Sequence, residues 1–172
     1  DFTCRPGTNQ QDHHGAGIVI GPTIDYLDRA YLDARQEGWS REPVVEMLIP
    51  STLDETLAPP GQHVASLFVQ HVAPQLPTPR TWANACEKER FADLVIDTVT
   101  THAPNFKASV IARQVLSPLE GRNHPNVTPS VDIPRSLVLL ARPSNGEFRH
   151  LIEIETHPID IRTRRAIHSA RY

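Results

Sequence analysis

Val44-Val45-Glu46-Met47-Leu48-Ile49, closed by Pro50, and His63-Val64-Ala65-Ser66-Leu67-Phe68-Val69-Gln70-His71-Val72, closed two residues on by Pro74, decide how this chain folds. Both runs are rich in β-branched and large apolar residues and are stopped by proline, so both read as strands. Apolar side chains fall on both parities of each run, which predicts a sheet covered on both faces. The connection, Ser51 to Gln62, carries Asp54-Glu55 and the turn signal Pro59-Pro60-Gly61. It is too long for a tight hairpin, but antiparallel pairing is the simplest topology.

Upstream, Ile18-Val19-Ile20 is a short β-branched run stopped by Gly21-Pro22. From Thr23 to Glu37 the residues Ile24, Leu27, Tyr31 and Ala34 recur at helical spacing, so this helix is expected to pack that face. Pro22 suits its first position, and Gly38 its C-terminal stop. Downstream, a loop punctuated by Pro74, Pro77 and Pro79 leads to Thr81, read as the N-cap of a helix running to His102. Its expected buried side is Phe91, Leu94, Val95, Ile96 and Val99, with Glu87-Lys88-Glu89-Arg90 as a solvated face. Val110–Leu116 reads as a further strand. Beyond Leu119 the texture changes: residues 120–134 have linker composition, and Ser136–Ala141 with Phe148–Thr156 flank the turn Pro143-Ser144-Asn145-Gly146 as a candidate hairpin. The expected fold class is therefore α+β, a mixed or antiparallel sheet with flanking helices.

The 172 residues and 19.2 kDa allow one domain, or one domain and a tail, and a chain of this size typically buries roughly two-thirds of its unfolded surface. With 39% hydrophobic and 22% charged residues the composition is that of a globular protein. The net charge of −3 gives no reason to expect nucleic acid or an anionic membrane surface. Residues 1–119 hold fourteen acidic and nine basic side chains, and residues 120–172 six and eight. No apolar stretch approaches the ~20 residues of a membrane span. The chain opens Asp1-Phe2-Thr3-Cys4, without methionine or an export signal, and reads as an internal piece of something larger. Two cysteines, Cys4 and Cys86, are expected to be reduced thiols of a cytoplasmic protein.

Familiar site motifs are missing or misplaced. Gly15-Ala16-Gly17-Ile18-Val19-Ile20-Gly21 has the glycines of a dinucleotide fingerprint, but its strand follows them where the motif needs it in front. Nine histidines invite a metal, yet His63 and His71 lie eight residues apart, roughly 27 Å along an extended strand, and His13-His14 are merely adjacent. More informative are the polar residues inside the central strands. Glu46, Ser66, Gln70 and His71 sit among large apolar neighbours, so each is hydrogen-bonded structurally or faces a cavity. No nucleophile–base pair can be assembled from spacing, and these residues alone are equally those of a non-catalytic α+β binding or interaction module.

Val45-Glu46-Met47-Leu48-Ile49-Pro50-Ser51-Thr52-Leu53-Asp54, continued by Leu57-Ala58-Pro59-Pro60-Gly61-Gln62-His63-Val64-Ala65-Ser66-Leu67-Phe68, is similar to the phytoene-desaturase-like FAD-dependent oxidoreductases. The resemblance is strongest to the branch of pyridine nucleotide-disulphide oxidoreductase-domain proteins. Gly21-Pro22-Thr23-Ile24-Asp25-Tyr26-Leu27, Ala103-Pro104-Asn105-Phe106 and Leu116-Ser117-Pro118-Leu119 support it, so that it covers about residues 1–119. The resemblance implies that residues 1–119 are part of a substrate domain, one whose sheet and helices roof a flavin bound elsewhere, and that residues 135–172 are a tail outside the family. It further implies FAD as cofactor of the intact enzyme, a small organic substrate, and hydride transfer from that substrate to flavin, with this chain inactive alone. Glu46, Ser66, Gln70 and His71 become the expected substrate-lining residues, and no catalytic residue is implied. Exposed strand edges left by a missing half would favour self-association. In a eukaryotic cell the mitochondrial matrix is the alternative compartment.

Overall fold

The computed structural model describes residues 12–121 and, as backbone, residues 137–141. Five strands form one sheet: β1 (Ile18–Ile20), β2 (Val44–Leu48), β3 (Ala65–Gln70), β4 (Arg113–Leu116) and β5 (Leu137–Ala141). Their order is β1-β2-β3-β5-β4, and every neighbouring pair is antiparallel. The class is α+β, with no parallel pair in the described sheet. Register follows the two central runs, with Val45 opposite Val69 and Met47 opposite Leu67. β5 is inserted between β3 and β4, so its extended conformation agrees with expectation. The proposed second arm, Phe148–Thr156, lies outside the described residues, as do most of the linker and Cys4.

Four α-helices among the described residues accompany the sheet: α1 (Ile24–Glu37), α2 (Ala85–His102), and the single turns α3 (Phe106–Ser109) and α4 (Pro118–Gly121). α2 covers the core. Its Phe91, Val95, Ile96 and Val99 pack with Val45, Met47, Leu67 and Val69 of the sheet, and Leu94 is half-buried at the margin. Asn84, not Thr81, caps this helix, its side chain accepting from the Cys86 N–H at 2.9 Å. Thr81 spends its hydroxyl one turn earlier, on the Ala83 N–H. Trp39, Trp82 and Phe91 stack at the end of the core, with ring centroids 4.9 to 5.9 Å apart. Arg80 lies 3.8 Å above the Trp39 ring, pairs with Glu87 and donates to the Glu37 carbonyl at the end of α1. A cation suits that helix terminus, where the carbonyls have no intrahelical partner. The expected solvated face Glu87–Arg90 therefore needs correction. Glu87 and Lys88 are half-buried in ion pairs to Arg80 and Glu120, and Glu89 pairs with Arg113, leaving Arg90 to solvent.

α1 corrects a second expectation. Thr23 is its N-cap and accepts from the Tyr26 N–H at 3.1 Å, so Pro22 precedes the helix rather than opening it. Its buried stripe is Tyr26, Ala30 and Ala34, of which Tyr26 and Ala30 pack against Val44. Ile24 is 77% exposed, and Leu27 and Tyr31 nearly 40%. Small residues let the helix lie close to β2, and that close approach turns the bulkier apolar stripe outward. The Tyr26 hydroxyl donates to the Pro43 carbonyl at 2.9 Å. Burial, with a smaller contribution from the Glu42 charge, pushes its pKa up to about 12.

A raised folded pKa means that the native state holds this proton more tightly than the unfolded chain. The contribution is complete below the ordinary tyrosine pKa of 10.0 and is lost as pH rises through about 12. Urea midpoints measured across that window should fall for the wild type, and fall less steeply for Tyr26→Phe. Equal slopes would show that Tyr26 titrates as it does unfolded.

Candidate functional site

Pleating gives the sheet two unlike faces. On β2, Val45 and Met47 enter the core, while Val44, Glu46 and Leu48 lie on the opposite side; on β3, Leu67 and Val69 enter the core, while Ser66, Phe68 and Gln70 lie opposite. Tyr26 and Ala30 of α1 cover Val44, and Ser66 on the same face is also buried, while Glu46, Phe68 and Gln70 are half-buried. Val44 is 2% exposed, Leu48 38% and Val19 65%. The expectation of a sheet covered on both faces is thus met on one face and in part on the other, where Val44 and Ser66 are buried but Leu48 and Val19 are exposed. Apolar residues on both parities cannot distinguish a helix-covered face from one left open among the described residues.

On this open face the sequence-picked polar residues come together. Glu46 stands opposite Phe68 and beside Val19, and Ser66 stands opposite Leu48. Gln70, one diagonal step from Glu46, donates its amide N–H to Glu46 Oε1. The result is a short transverse row, Val19–Glu46–Phe68, with a carboxylate fixed by an amide in its middle. His71 leaves the strand with a φ of +58° and meets the Tyr31 ring edge-to-face, centroids 5.7 Å apart. Its turn out of the strand carries it to the rim against α1, away from the row. Arg35 donates to the Tyr31 hydroxyl at 3.1 Å and lies over the same ring. Helical spacing reads Tyr31 as core; Ala30 and Ala34, small residues on the buried face, are the signal that it lies outward.

A second polar group closes the connection between β2 and β3. Ser51 Oγ accepts from the Val64 N–H at 3.0 Å and lies 3.3 Å from His63 Nδ1, sharing a hydrogen bond with the imidazole. No carboxylate bonds His63 among the described residues, and the pair serves to pin the loop to the start of β3. The same connection turns at Pro59-Pro60-Gly61, where Gly61 takes a φ of +76° and Gln62 N–H returns to the Pro59 carbonyl at 3.0 Å. Nearby, burial holds the His14 pKa below its ordinary value, helped by the charges of His13 and His63.

Among the described residues no three His, Cys, Asp or Glu side chains gather as a metal site, and no helix is long and apolar enough to cross a membrane. A dinucleotide needs free N–H groups at a helix start behind a strand. The strand–turn–helix available is β1, Gly21-Pro22-Thr23, α1. There Pro22 has no N–H, Thr23 already occupies that of Tyr26, and Asp25 places a negative charge in the first turn. The described residues do not fit the diphosphate of FAD.

The chain is 44% identical over 115 residues to the protein named pyridine nucleotide-disulfide oxidoreductase domain-containing protein 2 of Mus musculus. It is 40% identical over 115 residues to the protein of the same name from Rattus norvegicus. Each match takes in 66% of this chain and 19% of the relative, so the chain spans about a fifth of the length of the curated relatives it matches. No protein-family model matches the chain. No solved structure matches it.

Proposed function

We propose that residues 1–119 are part of the substrate domain of an FAD-dependent oxidoreductase of the phytoene-dehydrogenase-like kind, which passes hydride from an organic substrate to flavin. The observation that carries this reading is the open sheet face, where the Glu46–Gln70 pair sits in an apolar row with Val19 and Phe68. Similarity to mouse and rat proteins named for an oxidoreductase domain supports it. FAD would supply the redox chemistry, held by parts of the protein other than the described residues, while Glu46, Ser66 and Gln70 bind and orient substrate. His71 and Tyr31 form the rim. An exposed free thiol, Cys86, suits a reducing compartment, the cytoplasm or the mitochondrial matrix.

The test is flavin content. This chain, incubated with FAD and desalted, should emerge colourless, whereas the mouse relative with its matching segment replaced by this chain's should carry flavin. Stoichiometric FAD on the chain alone, or a folded chimera without flavin, would overturn the reading.

A further inference from the structure

Given the substrate-covering role proposed above, we infer that this face binds an organic cation: an ammonium group carried on an apolar body. Glu46 is half-buried and lies between apolar residues in both directions across the sheet, with Val19 on one side and Phe68 on the other. The ion pairs among the described residues go to other acids, and Glu46 has no cation. The side-chain partner of this carboxylate among the described residues, the Gln70 amide, is neutral, so a cation is its natural complement. Gln70 ties down one carboxylate oxygen, Oε1, and so orients the group while leaving Oε2 to accept from a ligand N–H. Phe68, directly across the strand pair, sets an aromatic ring within reach of a cation bound there. Val19 and Leu48, both exposed, extend the surface for the apolar body. A carboxylate-bearing ligand meets repulsion at the same point, and an alcohol leaves the charge unpaired.

Calorimetric titration of the 172-residue chain with hexylammonium, 1-hexanol and hexanoate tests this directly. Hexylammonium should bind roughly ten- to a hundredfold more tightly than hexanol, the range for a hydrogen bond to a charged group. Hexanoate should be weakest, and added salt should narrow the spread. Glu46→Gln keeps the shape and an acceptor for Gln70, and should bring hexylammonium down to the level of hexanol. Gln70→Leu, which frees the carboxylate to swing, should lose part of the preference. Equal binding of the three probes, no detectable binding of any, or a preference surviving Glu46→Gln in a chain with an unchanged urea midpoint would each overturn the inference. Because no flavin enters this experiment, its failure is distinct from a failure of the flavin-content test.

Discussion

Phe91→Ala should lower the unfolding free energy by about 3–5 kcal/mol, a large part of what a domain of this size possesses. Phe91 is fully buried on α2 and touches both tryptophans, its ring 4.9 Å from that of Trp39 and 5.9 Å from that of Trp82. Those partners cannot close the cavity independently. Trp82 is anchored through its indole N–H to the Ala73 carbonyl at 2.8 Å, and Trp39 lies beneath the Arg80 guanidinium. The site therefore relaxes little, which puts the cost in the upper part of the range. Urea denaturation followed by tryptophan fluorescence reads it. A loss under about 1 kcal/mol, the scale of a surface change, would mean that the trio is not packed as described.

Gly38→Ala should cost about 2–4 kcal/mol, from a left-handed backbone and overpacking together. Gly38 ends α1 with a φ of +89°, its N–H returning to the Ala34 carbonyl at 3.0 Å. A methyl group there would stand 2.7 Å from Leu76 Cδ2 and 2.9 Å from Pro77 Cδ. Pro77 belongs to a stiff proline-punctuated loop, so the clash cannot be relieved by a rotamer change alone. Gly61→Ala is the control. It shares a positive φ but has nothing within 4 Å of the added carbon, and should lose only the conformational part. Equal midpoints for the two variants would show that the loop yields.

These costs also mark what could be read from residues alone. The central strands, the stop at Gly38 and the turn at Gly61 were legible because proline and glycine act locally. The antiparallel pairing of Val44–Leu48 with Ala65–Gln70 was expected only as the simplest topology, since Ser51 to Gln62 is too long for a tight hairpin. Which face of α1 is buried was not legible. Hydrophobicity favours Ile24, Leu27 and Tyr31, whereas packing against Val44 selects Tyr26 and Ala30, and that packing is a tertiary property. The cap at Asn84 lost out to Thr81 for a related reason, since either residue can cap and the loop decides which one meets the helix. Placement of Leu137–Ala141 between Ala65–Gln70 and Arg113–Leu116 joins segments far apart along the chain, beyond any local pattern. The candidate site was half legible: polar residues inside apolar strands marked Glu46, Ser66 and Gln70 as candidates. Their union on one open face needed the register, and the rim at Tyr31 needed the orientation of α1.

The most direct measurement compares flavin reduction with fold stability in the chimeric mouse relative carrying Glu46→Leu and Gln70→Leu together. On the proposed reading, organic amines should bleach the parent chimera's flavin anaerobically, whereas the variant should stay yellow in their presence and melt with the parent. Bleaching at the parental rate, with flavin and stability intact, would contradict a working role for the open face.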